Sequence, residues 1–195
     1  MRLFVALDLD NNIRSRMVRF LEGVRGFAPE ARWARPESLH ITLKFIGEQS
    51  ETRVDGIKGA LSSIEADRFE MNFRGYGFFP AAPAARVFWI GVEADSRHAA
   101  LAAVVDSKLA SLNIPKEEHS YNAHLTLARG SARSGAPRRQ KGDGATSGFQ
   151  RLQQQLAARA APEFGTMTAR EFFLYQSQLS AGGSRYTKLA AFSLR

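Results

Sequence analysis

The sequence predicts an α+β fold built from two lobes with approximate internal two-fold symmetry. The phrase His40-Ile41-Thr42-Leu43 recurs as His124-Leu125-Thr126-Leu127, 84 residues further along the chain. Strand-like and helix-like segments follow one another without the strict alternation of a parallel sheet. A chain of 195 residues is long enough for two small lobes that share an interface. We therefore interpret residues 1–195 as a single domain of two intertwined lobes.

The first half of the chain has the periodicity of strands and amphipathic helices. Residues 2–9 are apolar on both faces, as is typical of a central strand. Asp10 or Asn11 is suited to cap one helix and Ser50 to cap a second. Short strands fit 69–73 and 74–79. The helical stripes comprise Ile13, Met17, Leu21 and Val24, then Val54, Ile57, Leu61 and Ile64.

The second half continues the mixture. Residues 86–92 predict a strand, and Ser96 is suited to cap a third helix. A last helix is expected from about residue 149, and closing strands at 166–175 and 186–194. The two helical stripes comprise Leu101, Val104, Val105, Leu109 and Leu112, then Leu152, Leu156 and Ala160.

The two repeated phrases lie on segments that alternate polar and apolar residues, which indicates strands with one buried face. Each strand therefore presents a histidine and a threonine two residues apart on one side. Strict alternation places Phe45 in the core, Lys44 on the face of His40, and Arg129 on the face opposite His124. A solvated position at the rim of the site is expected for Lys44.

The composition indicates a soluble, cytoplasmic protein. Hydrophobic residues make up 44% and charged residues 24% of the chain, and there are no cysteines. Disulfides and thiolate metal sites are thereby excluded, and the apolar start is too short for a signal peptide. The formal net charge of +8 favours a polyanionic partner, although a basic surface that serves only solubility is an equal alternative.

Paired histidines on facing strands suit acid–base chemistry at a phosphoryl group. Imidazole has an ordinary pKa of about 6.5, so both of its protonation states are available near neutral pH. One histidine takes a proton from an attacking water while the other gives a proton to the departing oxygen. The threonine hydroxyls are placed to hold the phosphate oxygens, and such a site requires no metal.

The paired His-x-Thr motifs resemble those of the 2H phosphoesterase superfamily. The surrounding segments are similar to its RNA 2′,3′-cyclic phosphodiesterase branch, which is also called 2′-5′ RNA ligase. They comprise RLFVALDL, RPESLHITLKFIGE, ARVFWIGV, HLTLAR and LYQSQLSAGGSRYTKLAAF. The resemblance implies two antiparallel sheets with flanking helices and a cleft between the lobes.

The resemblance also implies an activity and the residues that perform it. The substrate would be RNA with a 2′,3′-cyclic phosphate end, opened to a 2′-phosphate, with no cofactor, membrane or obligatory protein partner. By this resemblance His40 donates a proton to the 3′-oxygen and His124 activates water. Thr42 and Thr126 bind the phosphate.

Several further residues are weaker candidates. Arg129 is positioned to reach a phosphate if the strand twists, and Tyr186 to stack on a base. His98 is expected to be exposed on a helix, and His119 to lie in a loop. The stretch 130–148, with Arg133, Arg138, Arg139 and Lys141, predicts a mobile basic loop. A solvated surface loop is the commoner meaning of such a composition, and contact with an RNA backbone is the alternative.

Alternative functions remain open at this stage. The same chemistry allows 2′-5′ RNA ligation or hydrolysis of another cyclic nucleotide. A metallohydrolase with His40 and His124 as ligands lacks the usual clustered His, Asp and Glu spacing. A non-catalytic RNA-binding module would rest on the positive charge and the aromatic residues alone.

Overall fold

The computed structural model describes residues 1–81, 84–130, 148–180 and 183–195. It has nine strands and four α-helices within these ranges. The strands are β1 (Arg2–Asp8), β2 (Arg32–Trp33), β3 (His40–Glu48), β4 (Phe69–Phe79), β5 (Val87–Ala94), β6 (His124–Arg129), β7 (Glu163–Ala169), β8 (Glu171–Ser180) and β9 (Gly183–Ser193). The helices are α1 (Asn11–Val24), α2 (Val54–Ser62), α3 (Ser96–Ala110) and α4 (Gln150–Ala157).

The strands form two antiparallel sheets, which confirms the expected α+β architecture. The first sheet has the order β3-β1-β8-β9, and the second has the order β2-β6-β5-β4-β7. Each repeated phrase lies in a different sheet, on β3 and on β6. One continuous apolar core includes residues from both sheets, among them Val5 and Ile90.

The two motif strands approach each other where the sheets meet. Cα atoms of β3 and β6 come within 8 Å. The chain itself makes the link: β2 pairs with β6, the Ala34 amide donates to the Leu127 carbonyl at 2.8 Å, and six residues later β3 begins. The segment 34–39 therefore carries the chain from the second sheet to the first histidine.

The predicted helices are present, with differences at their starts. Asp10 caps α1, and its side chain accepts from the Ile13 amide at 2.7 Å, as expected. Ser50 does not cap α2, because a 3₁₀ turn intervenes and the Ser50 hydroxyl bonds with Thr52. Asp95 replaces Ser96 as the cap of α3, because a carboxylate there accepts from the Arg97 amide.

The predicted strands also differ from the observed ones. The expected strand at 166–175 is wrong: β7 pairs with β4 and β8 pairs with β1, so a break at Arg170 moves the chain between sheets. Residues 69–79 form one strand with a bulge, and Gly75 adopts a positive φ of 68° there. The two-residue β2 was not expected.

Two other expectations concern charge and membranes. The basic loop predicted at 130–148 lies outside the described residues except at its ends. In the described ranges, no helix has both the length and the apolar character needed to cross a bilayer.

Candidate active site

Both motif strands contain the same irregularity directly after the threonine. In β3, Thr42 pairs with Ala6 and Lys44 with Val5, so Leu43 has no partner. In β6, Thr126 pairs with Trp89 and Ala128 with Phe88, so Leu127 has no partner on β5. A bulge of this kind shifts the alternation of side chains by one residue.

The bulges change which side chains face the histidines. Leu43 and Lys44 are both buried, and Phe45 turns outward with 55% of its surface exposed. Leu127 and Ala128 are both buried in the same way, and Arg129 is exposed. The expectation that Phe45 belongs to the core is therefore wrong, and Arg129 lies on the face of His124.

Lys44 is buried instead of solvated. Only 2% of its surface is exposed, and its Nζ donates to the Pro115 carbonyl at 2.6 Å. The ammonium also pairs with Asp106 at 2.7 Å and with Glu117 at 3.5 Å. Because Asp106 lies on α3, this lysine ties β3 to the segment that precedes the second motif.

The two histidines are held by equivalent hydrogen bonds. His40 Nδ1 donates to the Ser38 carbonyl at 2.7 Å, and His124 Nδ1 donates to the Asn122 carbonyl at 2.9 Å. In each case the acceptor lies two residues earlier in the chain. A proton on Nδ1 leaves Nε2 of the neutral ring as an acceptor, free to exchange a proton with a substrate.

Aromatic side chains surround His40. Its ring centroid lies 4.8 Å from that of Phe4, 6.3 Å from Tyr175 and 5.1 Å from Tyr186. Phe4 and Tyr175 stack at 5.1 Å and belong to a small cluster separate from the main core. Tyr186, a predicted site residue, therefore lies beside His40 and contacts Phe4 edge-on at 5.0 Å.

The surroundings of His124 are different. It is exposed, and Trp89 lies edge-on to it at 6.2 Å. The Trp89 ring lies so close to Gly77 that a Cβ there would be 2.1 Å from it. A glycine at position 77 is therefore what allows the indole to lie in this place.

The electrostatics connect the two halves of the site. Burial lowers the pKa of His40 below its ordinary value of 6.5, and the positive charges of Arg129 and His124 lower it further. The hydrogen bond to Ser38 and the charge of Asp8 act in the opposite direction. These electrostatic effects on His40 agree with the close approach of β3 and β6.

Asp8 is a neighbour of His40 that sequence reasoning missed. It pairs with His40 across β1 and β3. Its carboxylate accepts from Arg14, from Lys188 and, at 2.9 Å, from the Leu9 amide. The corresponding partner of His124 is Gly91, which carries no charge.

The two predicted threonines lie on the same strands as the histidines, and the other two histidines lie elsewhere. Thr42 and Thr126 are half-buried, each two residues after its histidine and on the same face. His119 is exposed outside the helices and strands, as expected. His98 is buried, which corrects its expected exposure: its ring stacks on Phe69 at 5.1 Å and its Nε2 bonds with the Tyr121 hydroxyl at 2.9 Å.

One signal in the sequence linked Phe45 to the site. Phe45 and Arg129 stand at the same distance from their histidines, five residues on, and both face the site. No comparable signal identified Asp8 or Trp89, because their proximity depends on pairing between distant strands.

Comparison with known proteins places this architecture among phosphoesterases. A profile of LigT like phosphoesterases matches residues 7–89. An RNA 2′,3′-cyclic phosphodiesterase of Archaeoglobus fulgidus is 32% identical, over 98% of this chain and 99% of that protein.

Solved structures agree with this comparison. A crystal structure of a Thermus thermophilus protein has a TM-score of 0.78 and 28% identity, over 100% of this chain and 98% of the other. E. coli LigT complexed with phosphate has a TM-score of 0.71 and 25% identity, over 99% and 96%.

Proposed function

The chain belongs to the LigT-like phosphoesterase family and is a cyclic phosphodiesterase of that family, and we propose that it opens 2′,3′-cyclic phosphates at RNA ends to leave a 2′-phosphate. The observation that carries the proposal is the matched pair of histidines. Both present Nε2 by the same backbone hydrogen bond, and the charge of one acts on the other. Two imidazoles so arranged suit one phosphorus atom.

The proposed reaction has one proton transfer at each histidine. A water oxygen attacks phosphorus and gives its proton to Nε2 of His124. The bond from phosphorus to the 3′-oxygen breaks, and Nε2–H of His40 protonates that oxygen. The products are a 2′-phosphate monoester and a 3′-hydroxyl, and the two histidines have exchanged protonation states.

The assignment of His40 as the acid is supported by Asp8. A carboxylate beside an imidazole favours its protonated form, and of the two strand partners described, Asp8 for His40 and Gly91 for His124, only Asp8 is a carboxylate. Burial opposes this effect and keeps the pKa of His40 below its ordinary value. The negative charge of a bound cyclic phosphate favours the imidazolium, so the acid becomes protonated when the substrate is present.

The threonines and Arg129 are proposed to bind the phosphate. Hydroxyls on both walls are placed to donate to the two non-bridging oxygens, where charge grows in the transition state. Arg129 faces the same cleft because of the bulge at Leu127, and its guanidinium suits paired phosphate oxygens.

Nucleobase binding is proposed at the first sheet. Phe45 is exposed beside Phe4, with ring centroids 6.2 Å apart, and Tyr186 borders His40. Exposed aromatic rings next to a phosphate site are the usual platform for unpaired RNA bases.

We further propose that no metal takes part. Across the part of the chain that the structure describes, no three His, Asp or Glu side chains are grouped closely enough to hold an ion. The paired acid and base described above supply the proton transfers that a metal-bound water would otherwise provide.

The test is product analysis. The protein is incubated with an RNA oligomer ending in a 2′,3′-cyclic phosphate, with and without excess chelator, and the 2′- and 3′-phosphates are resolved. A 2′-phosphate formed equally fast in chelator is expected. A 3′-phosphate, or activity lost to the chelator and restored by a divalent ion, would contradict the mechanism.

A further inference from the structure

Two arginines face each other next to the candidate site. Arg32 on β2 pairs directly with Arg129 on β6. Residues paired in this way project from the same face of an antiparallel sheet, with Cβ atoms about 5 Å apart. The next residues in the two strands, Trp33 and Ala128, pair with each other and pack in or against the core. Both arginines therefore project away from the core.

This pairing is unfavourable unless an anion is present. Like charges directly opposite one another destabilise a sheet. Both arginines are exposed, and among the described residues no acidic side chain forms an ion pair with either of them. Arg74, another exposed arginine in this sheet, pairs with Glu93 at 3.2 Å.

The order of the strands shows that Arg129 lies closer to the two histidines than Arg32 does. Arg129 shares its strand with His124 and Thr126, and its charge acts on His40. Arg32 lies on β2, the edge strand beyond β6. An anion at Arg32 is therefore one strand further from the histidines than a phosphate at Arg129.

We propose that Arg32 binds the phosphodiester group that precedes the cyclic phosphate in an oligonucleotide. The inference rests on the proposed function, because it takes the cyclic phosphate to occupy the histidine site. A guanidinium suits a phosphodiester anion, since its donors match paired oxygens. Arg32 then distinguishes an RNA end, which has a second phosphate in the chain, from a cyclic mononucleotide, which has none.

The test uses two dinucleotides that both end in a 2′,3′-cyclic phosphate. One has an ordinary phosphodiester linkage, and the other has an uncharged methylphosphonate linkage. The native protein is expected to favour the charged dinucleotide by about three- to tenfold in kcat/KM at low salt, because an exposed charge pair is screened. In R32Q this ratio falls toward one.

Salt dependence gives a second measurement. Each phosphate contact contributes a slope of about −0.7 to a plot of log affinity against log salt for a single strand. R32Q should lose roughly that amount of slope for the charged dinucleotide only. The control is R19Q, which removes an exposed arginine from α1 and should keep the native ratio and slope.

The outcomes separate this inference from the proposed function. If R32Q keeps the native ratio, or lowers both substrates equally, Arg32 does not bind that phosphate. If the native protein opens neither cyclic phosphate, the proposed function fails. Arg32 is then tested by fluorescence anisotropy with labelled dinucleotides, where a loss of affinity confined to the charged one still supports the contact.

Discussion

The two halves of the site are built on the same kind of antiparallel strand pair, β1 with β3 and β5 with β6. In one, His40 pairs with Asp8 and Thr42 with Ala6; in the other, His124 pairs with Gly91 and Thr126 with Trp89. The bulge falls at the same place after each threonine. The shared register therefore gives the imidazole and the hydroxyl equivalent positions in both sheets.

The neighbours of the two histidines differ, and under the proposed mechanism this difference determines which histidine is the acid. Asp8 occupies the position equivalent to Gly91, buried Lys44 the position equivalent to Ala128, and exposed Phe45 the position equivalent to Arg129. Among the described residues, Asp8 and the rings of Phe4 and Tyr175 border His40, whereas Gly91 and Trp89 border His124. The comparison indicates that the motif strands fix the matching positions of histidine and threonine. Under the proposed mechanism, the residues beside each histidine determine which one is the acid and which the base.

The largest expected effect comes from removing either histidine. H40A and H124A should each lower kcat for the cyclic-phosphate RNA by about 10²- to 10⁴-fold, the usual contribution of general acid–base catalysis. Thermal unfolding should show that both variants are folded. An active H40A or H124A variant would contradict the shared reaction.

A modified substrate then distinguishes the two histidines. When sulfur replaces the bridging 3′-oxygen, the leaving thiolate departs without a proton, because thiols have a pKa of about 8.5. H40A should regain much of its activity on this substrate, whereas H124A should not. Recovery in H124A instead would reverse the proposed roles.

The threonines should show a smaller and symmetrical effect. T42V and T126V each remove a donor to a charged phosphate, which corresponds to a loss in kcat/KM of roughly ten- to a hundredfold. T52V, at an exposed position remote from the motif strands in sequence, is the control. A loss in only one motif variant would show that a single hydroxyl holds the phosphate.

Sequence patterns were sufficient for the parts of the site that recur along the chain. Alternation placed His40 and Thr42 on one face, and the repeat placed His124 and Thr126 likewise. The helical stripe of α1 and its Asp10 cap are also as predicted. These features depend on local periodicity, which a single sequence displays directly.

The errors arose where one unpaired residue shifts the pattern. Alternation was applied through Leu43, so it assigned Lys44 to the surface and Phe45 to the core, the reverse of their positions. A bulge is specified by the partner strand, which periodicity in one strand does not reveal. The pairing of Asp8 with His40 and the break at Arg170 were missed for a related reason, because both depend on partner strands that are distant in the sequence.

Substitution of Lys44 tests whether its buried ion pair stabilises the fold. K44M leaves Asp106 without its partner, and because Asp106 is partly exposed, a loss of about 1–3 kcal/mol in the free energy of unfolding is expected. K58M removes an exposed lysine 4.0 Å from Asp55 and should change that free energy by less than about 0.5 kcal/mol. Chemical denaturation measures both. If K44M lost no more stability than K58M, the buried contact between Lys44 and Asp106 would not stabilise the fold.

The smallest effect concerns the pH profile and the role of Asp8. The charged and titratable groups that face His40 are Asp8 on β1, Tyr175 on β8, Tyr186 on β9, and His124 and Arg129 on β6. The negative charge of Asp8 raises the pKa of His40. D8N should therefore lower that pKa, so the acid loses its proton at a lower pH.

The rate measurement follows from this sign. Because kcat/KM reports ionisations of the free enzyme, D8N should lower kcat/KM at those pH values where His40 is losing its proton, and should leave it unchanged at lower pH. K188M removes a cation from the same carboxylate and should have the opposite effect. The apparent pKa values of a bell-shaped pH–rate profile belong to the coupled pair of histidines, so NMR titration of each imidazole must assign them. If D8N changed the pKa of His124 and left that of His40 unchanged, the difference between the two half-sites would not originate at Asp8.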